Sequence, residues 1–229
     1  MSDLAPPQCD DTASDPLRVA ALVELLALLA YGELQAFDQM AADARLAPDL
    51  RRRAVLSEMA AAEIVNYRRL VERLGALGVD VEEAMRPFAP ALEDYHDQTG
   101  PRDWLEALTK AYVGDGMADD FYREAALCLD SPDRELVLDV LHDSRYADFA
   151  AQEIREAISA DPKLANRLSI WARRLVGEGL SQAQRVAAER PALTALIVGR
   201  AEEQDGIAAL FRRLTSAHTT RMAVVGLNN

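Results

Sequence analysis

Hydrophobic positions recur along the chain at the three- and four-residue spacing of amphipathic helices, and no stretch of β-branched alternation competes with them. The first predicted helix spans roughly 16–45 and opens at Asp15-Pro16, a capping residue followed by proline at the first helical position. The second starts at Pro48 and runs to about Gly78. Residues 79–100, with two prolines and mixed polarity, read as a long crossover with one short helical turn. The third helix runs from Pro101 to about Leu129, the fourth from Ser131-Pro132 to about Ala160, and the fifth from Asp161-Pro162 to about Arg190. Pro191 opens a short apolar segment, and a last helix covers roughly 202–222. Residues 1–15, acidic and proline-rich, read as a disordered arm ahead of one domain, 16–229.

Short connections at 46–48 and 130–132 fold the first four helices into two antiparallel hairpins. Two hairpins joined by one long link have the connectivity of a ferritin-like four-helix bundle, an all-α fold. The fifth and last helices are then expected to pack outside that core.

Each of the four stripes carries an acid on its apolar side. Glu33 follows Leu22, Leu26 and Leu29; Glu63 follows Leu56 and Met59, with Asn66 a turn on; Asp115 follows Leu108 and Ala111; Asp143 follows Leu136 and Val140, with Tyr146 a turn on. Glu33 and Glu63 lie 30 positions apart, and Asp115 and Asp143 lie 28 apart. At a rise of about 1.5 Å per residue, the four acids meet near one level of the bundle. Asp119 also falls on an inward stripe and is the second choice on the third helix. One acid in an apolar stripe is ordinarily a boundary residue reaching out to water; four in register point to a shared polar centre. Ionised carboxylates in an apolar core cost several kcal/mol each. Divalent cations, shared protons, water, or partners such as Arg145 and His142 would relieve that cost.

Composition narrows the partner classes. Half of the 229 residues are hydrophobic, enough for a sizeable core. The formal charge of −13 and a pI near 4.7 set the chain against nucleic acid and anionic membranes. The arginine clusters at 51–53, 68–69, 173–174 and 212–213 read as solvated helix faces. The first apolar run is broken by Glu24 and is too short to span a bilayer. The N-terminus lacks the basic start of a secretory signal, so a cytoplasmic location is expected. Cys9 and Cys128 have no metal-thiolate spacing, and no structural disulfide is expected. Glu178 lies between two glycines, which reads as tight helix packing. No Ser/His/Asp order, phosphate-binding glycine loop or zinc motif is present.

The phrases MAAAEIVNYRRL, YVGDGMADDFY and HDSRYADF resemble the corresponding helices of the tRNA isopentenyl-adenosine hydroxylases (MiaE). More narrowly, AYGELQAF, KAYVGDGMADDFYREA and WARRLVGEGLSQAQRVAAER resemble the MiaE-like ferritin-fold proteins of actinobacteria, over about residues 17–227. The resemblance implies a non-haem di-iron centre and O₂-dependent hydroxylation, with Glu33, Glu63, Asp115 and Asp143 at the carboxylate-ligand positions. Its two imidazole positions fall on Asn66 and Tyr146, neither of them histidine. None of His96, His142 and His218 falls at a ligand position by spacing.

An amide oxygen suits harder cations than iron, such as manganese. Three readings are open: a rebuilt site with oxygen ligands, a site for one metal, or a relic in which Asn66 and Tyr146 satisfy buried acids through hydrogen bonds. Function divides accordingly. One expectation is a di-metal (iron or manganese) hydroxylase acting on a small molecule or modified nucleoside. The other is a bundle that has lost its metal and serves as a structural or interaction module, with a homodimer as one form. The net charge disfavours tRNA itself as a partner.

Overall fold

The stripes fold as helices in a computed structural model that describes residues 16–141, 144–198 and 206–228, and no strand occurs among them. Helices α1 (Pro16–Asp43) and α2 (Leu50–Ala76) form the first hairpin, with a 3-10 turn at Ala44–Leu46 between them. The start of α2 lies just past the expected Pro48, because Asp49 is the cap: its carboxylate accepts the Arg52 amide at 2.8 Å.

The link expected as a crossover is largely helical. It contains α3 (Val81–Met85), a 3-10 turn at Arg86–Phe88, and α4 (Ala89–Gln98). Pro87 and Pro90 each sit in the first turn of an element, where a missing N–H is no loss, so they start helices and do not break them.

The third helix comes in two phases. A π-helical turn at Ala111–Asp115 separates α5 (Trp104–Lys110) from α6 (Gly116–Ala126). The fourth, expected to be continuous, is α7 (Asp133–Asp139) and α8 (Ser144–Ala160). The break has a visible partner on α2. Asn66 Nδ2 donates to the Val140 carbonyl at 3.0 Å, and Arg69 Nη1 donates to the Asp139 carbonyl at 3.4 Å. Carbonyls at a helix end need such partners.

Helices α9 (Lys163–Glu189), α10 (Pro191–Val198) and α11 (Gly206–Val224) complete the fold. They do not pack outside the core as expected. Leu168, Trp171 and Leu175 of α9 and Met222 of α11 are buried in one cluster with Leu56, Met59, Trp104, Leu108 and Ile154. Leu193 of α10 joins a second cluster with Leu25, Leu29, Leu70, Leu74 and Phe88. Polar contacts hold α9 to α5: Trp171 Nε1 donates to the Glu106 carbonyl at 2.9 Å, and Arg167 pairs with Asp103 and Glu106 at 2.5 and 3.1 Å. Glu24, the charge that broke the first apolar run, accepts the Leu193 amide of α10 at 3.0 Å.

Because Leu168 is fully buried, Leu168→Ala is expected to lower stability by about 2–5 kcal/mol in urea denaturation. An outer, dispensable α9 would give a change near zero.

Candidate functional site

The inward acids arise from the helical stripes, and the folded chain separates their roles. Glu33 on α1 is 4% exposed, Glu63 on α2 is 1% exposed, and Asp119 on α6 is 9% exposed. Asp115, the sequence preference on the third helix, ends the π turn and is only partly buried. A π turn inserts one residue and shifts the register of every residue beyond it; periodicity counted on a regular helix does not register it. Asp143 lies outside the described residues, as does His142. Tyr146 is partly buried against the core cluster that holds Leu56, Trp104, Ile154 and Leu168.

Asn66 fixes the character of the polar centre. Its Nδ2 donates to Glu33 Oε2 at 3.4 Å as well as to the Val140 carbonyl. A backbone carbonyl only accepts, so the amide nitrogen must face it, and Glu33 receives the second N–H. This is how an amide satisfies a buried carboxylate. Among the described residues, no three His, Cys, Asp or Glu side chains converge to hold an ion. The described donor set therefore does not by itself fit a di-metal centre.

Glu33, Asp115 and Asp119 share a different feature. They line a cavity of about 360 Å³ walled by α1, α4, the third helix, α9, α10 and α11. The size is typical of small-molecule sites, about 300–1,000 Å³. Leu28, Leu29, Met40, Phe121, Leu175, Leu193, Phe211 and Leu214 make most of the wall apolar. Glu63 does not line it. Tyr122 stands with Glu33 and Asp119, and burial, then those two charges, holds its phenol well above the usual range. It stays a neutral hydrogen-bond donor.

A second polar group also lines the cavity: Lys110, His96, Tyr95, Asp43, Gln39 and Gln182, of which the helical spacing draws notice only to His96, and not as a ligand. Lys110 is 4% exposed, and its Nζ has no hydrogen-bond partner among the described residues. It sits 5.5 Å from the centre of the Tyr95 ring. Burial pushes the ammonium down to about 8, against the opposing pull of Asp43 and Asp115. Burial, then the Lys110 charge, pushes His96 down to about 3, so its ring is neutral at ordinary pH. Asp43 is pushed up, chiefly by burial, and accepts from Gln39 Nε2 at 3.1 Å.

Two glycines around Asp115 allow this assembly. A Cβ on Gly114 would lie 2.8 Å from the Tyr95 hydroxyl, and one on Gly116 would collide with Arg221 Nε. Arg221 donates to the Gly116 carbonyl at 2.9 Å and to Asp120 at 2.6 Å. The glycines beside Glu178 do less than expected. A Cβ on Gly177 would meet nothing, and one on Gly179 would make an ordinary 3.8 Å contact with Tyr95. A signal for Lys110 was present in the composition: it is one of only two lysines, with Lys163, among 25 basic residues.

Asn66→Asp is expected to cost about 2–4 kcal/mol, because it removes the donor to Val140 and adds a carboxylate beside Glu33; urea titration measures it. Lys110 gives a pH signature. Its folded pKa lies below the ordinary 10.5, so between pH 8 and 10.5 the unfolded chain binds more protons and stability rises with pH. Relative to Lys110→Met, the natural protein should gain more than about 1 kcal/mol across that window. Parallel stability curves for the two proteins would contradict the assignment.

Residues 18–200 match a family model described as "Ferritin-like domain, actinomycetes". No curated protein matches the sequence. The helical architecture agrees with the family match, which covers most of the chain. The chain belongs to the actinomycete ferritin-like domain family.

Proposed function

We propose that this protein is a ferritin-like binding protein for a small, largely apolar molecule, held in the cavity between α1, the third helix and the C-terminal helices. The observation that carries this reading is the cavity: about 360 Å³, apolar over most of its wall, with polar side chains gathered at a few places. That combination is what ligand sites offer, with apolar surface for affinity and a few polar groups for orientation. A core with no ligand to hold is normally packed to the density of an organic crystal.

A second reading keeps the non-haem hydroxylase implied by the MiaE resemblance. Its support is that Glu33 and Glu63 are both nearly fully buried on the first hairpin, with Asp143 as the further ligand and iron or manganese as the metal. In that reading the cavity is the substrate pocket, and a modified nucleoside would have to fit it. The net charge of −13 argues against whole tRNA. Several of the basic side chains are also spent on acids: Arg52 on Asp49 and Glu153, Arg73 on Asp133, Arg213 on Glu124.

Fluorescence titration with the apolar probe N-phenyl-1-naphthylamine tests the first reading. Saturable binding at one probe per chain is expected, weakened more than about tenfold in Ala118→Trp, whose side chain would fill the space. Equal binding by both proteins, or none, defeats it. For the second reading, metal-supplemented expression and elemental analysis should give stoichiometric iron or manganese that Glu63→Ala removes. Trace metal indifferent to that substitution eliminates it.

A further inference from the structure

Twenty-three of the 25 basic residues are arginine, and one of the two lysines is buried in the cavity wall. The choice matters chemically. A guanidinium keeps its charge at any accessible pH, whereas an ammonium gives up its proton when desolvated and becomes a nucleophilic amine. A counter-charge for Asp43 and Asp115 alone would call for the fixed cation. Lys110 lies at the end of α5, where the π turn begins. Its Nζ is closed from water behind the Tyr95 ring and makes no hydrogen bond among the described residues. The side chain lines the open space of the cavity. A lysine desolvated in an apolar pocket is a recognised route to an activated amine.

The wall also limits what Lys110 would meet. Glu33, Asp43, Asp115 and Asp119 all line the cavity, so acids outnumber the one lysine. An anionic headgroup would be repelled. A neutral carbonyl has a lone pair for an N–H donor and an electrophilic carbon for a free amine, and an apolar chain behind it suits the leucine-rich wall. Resting on the reading of the cavity as a small-molecule site, we propose that Lys110 captures an apolar aldehyde as an imine. The Nζ lone pair attacks the carbonyl carbon and a C–N bond forms. The nitrogen then loses both its hydrogens, and the carbonyl oxygen leaves as water. Amine plus aldehyde become imine plus water, with no net oxidation or reduction. Asp43 and Asp115, the two acids whose charge acts on Lys110, line the same cavity, and Asp43 carries protons between nitrogen and departing oxygen. His96 stays neutral beside them, and Tyr95 keeps its proton because burial raises it, reinforced by Asp115 and Glu178.

Reductive trapping tests this on the full chain. The protein is incubated at pH 8 with decanal and sodium cyanoborohydride and read by intact-mass and peptide mass spectrometry. The expected product is one decyl group on Lys110, resolved by peptide mapping from any on the terminal α-amine, which is also partly unprotonated at this pH. The rate at Lys110 should exceed that at exposed Lys163 by more than about tenfold, since at that pH an ordinary lysine is almost wholly protonated. Decane, which fills the cavity without reacting, should slow labelling at Lys110 and leave Lys163 unchanged. Lys110→Arg should abolish the fast adduct; if that variant does not fold, the natural protein's peptide map decides alone. Labelling of Lys163 as fast as Lys110 overturns the proposal. So does an unmodified Lys110 in protein that still binds the naphthylamine probe, the result expected if Lys110 is only a counter-charge. Loss of both probe binding and labelling instead removes the cavity reading beneath it.

Discussion

Ionisable side chains withdrawn from water are the constraint around which this bundle is arranged. Glu33, Asp43, Glu63, Glu106, Lys110 and Asp119 are each less than a tenth exposed in a core otherwise built of leucine, alanine and a few aromatics. Each would cost several kcal/mol if left unsolvated. The departures from regular helix coincide with the places where such groups are served. The gap after α7 presents the Val140 carbonyl to Asn66, whose amide also reaches Glu33. Glu106 is buried at the start of α5, where Arg167 and the Arg102 amide reach it. Asp43 ends α1 within reach of Gln39.

The same irregularity keeps the cavity open. Gly114 and Gly116 let Tyr95 from α4 and Arg221 from α11 bear on the π turn from outside. The third helix is thus braced by the added helices, and the space between it and α1 is walled but not filled. This places apolar volume beside desolvated charge, a setting in which a lysine or a carboxylate behaves unlike its counterpart in water. Both functional readings draw on that setting, one through Glu33 and Glu63, the other through the cavity itself.

Much of the fold was legible because helix formation here is a local matter. The stripe from Leu56 through Glu63 to Leu74 has one buried face in any well-packed bundle, and those residues are buried. Pro16, Pro162 and Pro191 lie at helix starts for a reason contained in the residue itself. Pro87 and Pro90 misled because a proline pair with mixed polarity suggests coil unless its neighbours Met85, Phe88 and Ala91 find a surface to cover. No local signal announced the end of α7, since the groups that take its carbonyls come from Asn66 and Arg69, some 70 residues away.

By itself the sequence determined the all-α class, the places of the long helices α1, α2 and α9, the pairing into hairpins and the inward placing of Glu33 and Glu63. All of these come from periodicity and from short connections. Tertiary structure alone decided that α9, α10 and α11 belong to the core, that Glu24 serves the start of α10, and that Asp119 lies deeper than Asp115. It also decided that Lys110 and His96 face a shared cavity. The reason is physical: hydrophobic spacing reports which face of a helix avoids water, but the partner that face meets depends on helices distant in the chain, and a single π turn is enough to change it.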